Sequence, residues 1–225
     1  PYAHTRRAAS YYNLKEYDKT AQDYIAVLQN YGGHPASNDI LIPLQEALNL
    51  AGRSTEFDQY LAQYKSAHPD AKGVESVEFE TAKNLYFNQE YERAIAALTR
   101  YGQTYPESPR LSEANYYQAE CYYRLKQVDQ ALLLYEQLLA DKTFSFASKV
   151  VGRLAELEFK KGRYEKSLPY FRQLTRLAIN KKEQYTAWAG LMESHYLLAQ
   201  YDSADVYARM IIEKGNVNAG AVNKA

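Results

Sequence analysis

Leu85-Tyr86-Phe87-Asn88-Gln89-Glu90-Tyr91-Glu92 and Tyr122-Tyr123-Arg124-Leu125-Lys126-Gln127-Val128-Asp129 are two copies of one pattern, and their recurrence decides the fold. An aromatic pair leads into a short polar turn, and an apolar residue followed by an acid leads out of it. The pattern returns as Tyr11-Tyr12-Asn13-Leu14-Lys15-Glu16-Tyr17-Asp18, as Phe159-Lys160-Lys161-Gly162-Arg163-Tyr164-Glu165 and as Tyr196-Leu197-Leu198-Ala199-Gln200-Tyr201-Asp202. The anchors Tyr17, Tyr91, Val128, Tyr164 and Tyr201 stand 74, 37, 36 and 37 residues apart. The double gap predicts a degenerate copy anchored near Ser54, and Leu48-Asn49-Leu50-Ala51-Gly52-Arg53-Ser54 supplies it. Self-similarity at such a period marks stacked supersecondary units. Six repeats follow, at 1–36, 37–73, 74–110, 111–147, 148–184 and 185–221.

Each repeat reads as two helices joined by a tight turn. In the third, Val77, Ala82, Leu85 and Tyr86 form one apolar stripe, and Ala94, Ile95, Leu98 and Tyr101 form a second, both at helical spacing. An acid opens the second helix in five repeats (Asp18, Glu92, Asp129, Glu165, Asp202), where it complements the positive end of the helix dipole. Gly32-Gly33, Pro69 and Pro106 close repeats, and Ser108-Pro109 reads as a cap and first helical position. No sustained alternation or Asn-Gly hairpin signal is present, so the fold class is all-α.

Small residues recur where two helices must approach closely. Ala8, Ala82, Ala119 and Ala155 share one position of the first helix, and Thr20, Ala94, Ala131, Ser167 and Ala204 share one of the second. Twelve of the 23 tyrosines fall in four repeat columns, so packing explains about half of an unusual tyrosine content. Gln45 and Phe57 break the small columns in the second repeat, and Pro169 falls inside a second helix, where it removes a hydrogen bond and is expected to bend the chain.

These residues resemble the tetratricopeptide repeat, most closely at Ala119-Glu120-Cys121-Tyr122-Tyr123 and Tyr91-Glu92-Arg93-Ala94-Ile95, with Trp188 where that family often has Trp. The resemblance implies an α–α superhelix whose first helices line a concave groove, and a protein-binding scaffold that is not an enzyme. In style the chain resembles bacterial cell-envelope members, among them outer-membrane-assembly lipoproteins and Tol-Pal-associated periplasmic proteins. That implies a periplasmic or outer-membrane-associated setting. A cytoplasmic regulatory array controlling an attached effector domain is the alternative, and the docking arm of an enzyme catalytic elsewhere is a third.

Composition narrows the function further. The 225 residues carry 27 basic and 27 acidic side chains, so the basic footprint that binds nucleic acid through its phosphates is missing. No apolar run approaches the roughly 20 residues that span a bilayer. Cys121 is the one cysteine, on an apolar helix face with no histidine placed locally to activate it, and reads as a buried, inert thiol. His4, His34, His68 and His195 fall in separate repeats, without metal-ligand spacing. No nucleophile elbow, P-loop or dinucleotide fingerprint occurs, so the sequence assigns no catalytic residue, metal or cofactor.

Projected onto the inner face that the resemblance implies, the columns give a candidate groove of Phe79, Lys83, Tyr86, Phe87, Tyr116, Tyr117, Glu120, Tyr123, Arg124, Arg153, Glu156, Glu193 and Tyr196. It reads as aromatic and acidic, densest in the third and fourth repeats, and suited to a protein or peptide segment bearing Lys or Arg. Each of these residues equally suits a packing role against the next repeat. The family's carboxylate-clamp mode is not supported, because Thr5, Ala9, Phe79 and Glu80 stand at its positions. The array is expected to continue beyond both ends of this chain, and its uncapped terminal helix faces are expected to pack end to end with other copies.

Overall fold

The computed structural model describes residues 1–69, 71, 73–141 and 144–214, and they form helices and connecting turns without a strand. The all-α expectation is met. The chain divides into two compact units, residues 1–106 and 107–225. The first holds α1 (Tyr2–Asn13), α2 (Tyr17–Tyr31), the short α3 (Ala36–Asp39), α4 (Leu41–Leu50), α5 (Phe57–Ala67), α6 (Val74–Phe87) and α7 (Tyr91–Thr104). The second holds α8 (Leu111–Arg124), α9 (Val128–Leu138), α10 (Ala147–Lys160), α11 (Tyr164–Leu177), α12 (Lys181–Leu197) and α13 (Tyr201–Lys214). Within each unit, successive helices pack as antiparallel pairs, and each pair leans on the next: α4 on α2 and α6, α10 on α9 and α12.

One turn generates every pair. Lys15, Gly52, Gln89, Lys126, Gly162 and Ala199 all have positive φ, between 57° and 74°, and each sits in the second position of the turn between paired helices. The amide that follows donates back to the carbonyl five residues earlier: Glu16 to Tyr11, Arg53 to Leu48, Glu90 to Leu85, Gln127 to Tyr122, Arg163 to Glu158 and Gln200 to His195, at 2.7–3.0 Å. The turn residue itself donates to the carbonyl three back. This is the Schellman motif, which satisfies helix-end carbonyls that would otherwise lack partners. The carbonyl of the residue after the turn residue then accepts the first bond of the second helix in five of the six pairs, from Thr20, Ala94, Ala131, Ser167 and Ala204. Those five donors are the small column of the second helix.

Both small columns are buried: Ala8, Ala82, Ala119, Ala155, Thr20, Ala94, Ala131 and Ser167 are fully inaccessible. The second repeat departs from the pattern with a polar solution. Gln45 is buried, donates to the Thr81 carbonyl at 3.0 Å and accepts from Asn84 at 3.0 Å, so its amide ties α4 to α6. Phe57 fills the position of the other small residue and is itself buried. Around these columns, Val27, Leu41, Leu44, Leu48, Leu61 and Val77 form the core of the first unit. Leu132, Tyr135, Leu138, Val150, Leu154 and Leu157 form the largest core cluster of the second.

Pro169 lies inside α11 (Tyr164–Leu177), where its missing N–H leaves the Glu165 carbonyl without its intrahelical donor. Ser108 and Pro109 do not open α8, which starts at Leu111; the Ser108 hydroxyl instead accepts from the Arg110 amide at 3.1 Å. The end of the sixth repeat at 221 and residues 222–225 lie outside the described residues.

The turn makes a paired test of backbone strain. A side chain in the left-handed region costs about 1–2 kcal/mol, and a Cβ on Gly162 meets nothing within 4 Å. Gly162→Ala should therefore destabilise by about 1 kcal/mol, and Ala199→Gly should stabilise by up to about 1 kcal/mol, less the entropy glycine gains on unfolding. Urea midpoints of the two variants, shifted in opposite directions, check it.

Candidate functional site

The residues predicted to line a groove fall into two sets. Phe79, Lys83, Tyr86 and Phe87 belong to α6 of the first unit, and the remainder belong to the second. Phe79 is buried at 1% exposure, with its ring 5.6 Å from that of Tyr101 and the Lys83 ammonium 5.1 Å above it. Lys83 also pairs with Glu80 at 2.8 Å. Phe79 therefore offers no ring to a partner: it is a core residue. Tyr86 is half-buried between Phe87 and Tyr91, while Phe87 is 60% exposed.

In the second unit, four of the predicted residues converge, but on one another. Glu120 of α8 is 3% exposed and accepts from the Tyr135 hydroxyl of α9 at 2.5 Å and from Nε and Nη2 of Arg153 of α10 at 2.9 and 3.2 Å. The Arg153 guanidinium lies 4.0 Å over the Tyr123 ring and reaches Glu156 at 3.3 Å. The Tyr123 hydroxyl donates to Glu156 at 2.9 Å, and Lys160 donates to the same carboxylate. Burial opposes ionisation of Glu156, but the bonds from Lys160 and Tyr123 outweigh it and hold the carboxyl below its ordinary range. Burial, the charge of Glu120 and its hydrogen bond push the Tyr135 hydroxyl far up, so it stays a donor. Charges and rings in this network satisfy each other across α8, α9 and α10. Glu120 and Glu156, two of the acids expected to line the groove, are thus paired inside the stack. Tyr116 is buried as well, its ring against Phe146 and Phe144. Tyr117 is half-buried and Arg124 exposed.

What stays open lies beside that network. A cleft of about 620 Å³ runs between α10 and α12, lined by Lys149, Gly152, Arg153, Glu156, Phe159 and Lys160 on one side and by Lys182, Tyr185, Thr186, Ala189, Gly190 and Glu193 on the other. Each set follows helical spacing along one face. Phe171 and Leu174 of α11 close the floor, and Tyr116 reaches one end. The two glycines differ in kind. A Cβ on Gly190 would stand 2.2 Å from the Phe171 ring, whereas a Cβ on Gly152 would meet the Leu174 methyls at 3.8 and 3.9 Å, ordinary contact. Of the predicted residues, Tyr116, Arg153, Glu156 and Glu193 line this cleft. Tyr196 does not: it is 63% exposed in a separate depression of about 740 Å³ with Met192, Leu197, Tyr201 and Ala204 of α12 and α13. Sequence reasoning missed Lys149, Lys182 and Tyr185. Extending the groove columns toward the helix starts would have reached Lys149 and Tyr185 after one turn and Lys182 after two.

The histidines and the cysteine are accounted for locally. His4 bonds Asp23 at 2.9 Å, His34 accepts from the Ala36 amide, His68 rests on the Tyr64 ring, and His195 is buried between Gln200 and Tyr207. Cys121 is buried. Among the described residues no cluster of three or more His, Cys, Asp or Glu could hold a metal ion, and no helix is long and apolar enough to cross a membrane.

The size of the Gly190 contact gives a stability test. Forcing a methyl into this packing costs about 1–3 kcal/mol, so Gly190→Ala should lower the thermal midpoint, and adding Phe171→Leu should recover part of the loss. A calorimetric scan of the single and double variants checks the pairing.

Comparison with known proteins places this geometry. Residues 79–145 match the family profile described as tetratricopeptide repeat. The C-terminal part of a TPR repeat-containing protein from Cytophaga hutchinsonii superposes with a TM-score of 0.72 at 16% identity, covering 99% of this chain and 86% of that one. PilW, described as a widely conserved type IV pilus biogenesis factor, gives 0.56 at 13% identity, covering 99% and 96%. PilF of Pseudomonas aeruginosa gives 0.56 at 15%, covering 99% and 94%. No curated protein matches in sequence. The stacked helix pairs are those of a tetratricopeptide-repeat solenoid, and residues 79–145 carry that family's signature.

Proposed function

We propose that this protein is a non-catalytic scaffold that binds a segment of another protein in the cleft between α10 and α12, in the assembly of a bacterial cell envelope. The observation that carries the binding site is the cleft itself. Half-buried Tyr185 and exposed Thr186 line it beside Phe159, whose ring also packs on Tyr164 and Phe171, while the neighbouring charged residues are engaged with each other. Rings bound by two side-chain torsions give large contact area at small entropic cost, which is what a protein-binding cleft needs. The ionisable groups beside it are held in ion pairs and hydrogen bonds, a pattern of structural support and not of general acid–base work. The envelope setting is supported by the tyrosine-rich repeat style. PilW, which shares the fold, is described as a type IV pilus biogenesis factor, and at this identity that likeness speaks for fold alone.

A photo-crosslinking phenylalanine analogue in place of Tyr185, expressed in the source cells, tests site and setting together. A discrete adduct in the envelope fraction, absent when the analogue replaces the exposed Gln173 of α11, is the expected result. Equal labelling from both positions would remove the cleft as the binding site, and an adduct confined to the cytosolic fraction would favour the regulatory-array reading.

A further inference from the structure

Within the proposed cleft, the charges left over have one sign at one end. Lys149 and Lys182 stand in the first turns of α10 and α12, both exposed. The Lys149 ammonium lies 5.0 Å over the Phe146 ring, and neither lysine pairs with a carboxylate among the described residues. The carboxylates that line the cleft are placed elsewhere or occupied. Glu156 is bonded by Tyr123, Arg153 and Lys160. Glu183 accepts from the Ile179 amide at 3.1 Å, within the cap that Asn180 forms at the start of α12. Glu193 lies eleven residues past Lys182, about 16 Å along the helix. The mouth of the cleft therefore attracts an anion, and the positive ends of two helix dipoles add to the lysines.

One turn inside that mouth is Gly152. A glycine in the middle of a fourteen-residue helix is destabilising relative to alanine. Gly190 has a reason to be glycine, since Phe171 occupies the space a methyl would need; at Gly152 a methyl fits at ordinary contact distance. Internal packing does not account for Gly152. It leaves a notch on the cleft wall one helical turn from Lys149, over the Leu174 methyls.

Resting on the cleft as the binding site, we infer that its occupant is a peptide segment with a bulky apolar side chain, seated in the Gly152 notch, flanked by aspartate or glutamate side chains paired with Lys149 and Lys182. The partner is thus acidic, opposite in sign to the one the repeat columns suggested. Recognition runs through side-chain carboxylates within a segment, so a free chain terminus is not required.

Fluorescence anisotropy of the whole chain with labelled, C-terminally amidated twelve-residue peptides tests this. One peptide carries a central Phe flanked by Glu and Asp, a second has Lys in place of those acids, and a third has Ala in place of Phe. The acidic Phe peptide should bind at least tenfold tighter than either of the others. Lys149→Glu with Lys182→Glu should weaken it more than tenfold and reverse the preference toward the basic peptide. Gly152→Met, whose side chain fills the notch, should weaken it about tenfold while leaving the thermal midpoint unchanged or higher. Equal or tighter binding of the basic peptide, indifference to Gly152→Met, or no binding of the acidic peptide overturns the inference. If Tyr185 still crosslinks a partner in cells in any of those cases, the cleft remains the binding site and only its chemical preference falls.

Discussion

A backbone amide reaching back five residues across a left-handed turn residue is the interaction on which the rest depends. It occurs six times, at Glu16, Arg53, Glu90, Gln127, Arg163 and Gln200, with nearly constant length. By closing the first helix and starting the second within three residues, it fixes the angle of each pair. That angle brings the two small columns together, and the full burial of Ala82 with Ala94 and of Ala119 with Ala131 follows. Four of the six turns accept the strain of a side chain at positive φ, in Lys15, Gln89, Lys126 and Ala199, because the hydrogen bonds and packing around them leave no alternative conformation.

Successive pairs are then joined by polar fasteners laid over apolar cores. The Tyr12 hydroxyl donates to Glu46 as that of Tyr123 donates to Glu156, linking the first helix of one pair to the first helix of the next. On the other side, Arg53 reaches Asp18, Arg93 reaches Asp58 and Lys161 reaches Asp129. The exposed links contribute little stability singly, but they have direction and fix register. The Glu120–Arg153–Tyr135 set is different in kind: it is largely desolvated, and leaving either charge unpaired there is costly.

The fold was readable because its period survives in residues that packing requires: the small columns, the aromatic anchors, and the acids at helix starts. The turn chemistry was only partly readable, since just Gly52 and Gly162 announce a left-handed residue and the other four turns carry none of that signal. The site was the least readable. A repeat column states which face a residue occupies and is silent on whether a neighbour already uses it. Glu120 and Glu156 stand in the predicted column, and their partners reach them from other helices, Tyr135 and Arg153 to Glu120 and Tyr123 to Glu156. Phe79 reads as exposed because its burial against Tyr101 is tertiary. Lys149 and Lys182 were invisible because they lie one and two turns outside the columns, and what marks them is that neither forms an ion pair among the described residues, a property of space and not of sequence.

Taken together, most charge on the candidate face serves the stack, and binding is left to what the stack does not use: a cleft with two rings, a glycine notch and two lysines. A double-mutant cycle on Glu120 and Arg153, by urea unfolding of the wild type, Glu120→Ala, Arg153→Ala and the double variant, tests that division most directly. If the pair is an internal fastener, the two side chains couple by about 2–3 kcal/mol. A coupling below about 0.5 kcal/mol would mean that the two sites act independently, and both charges would return to the surface as candidates for a partner.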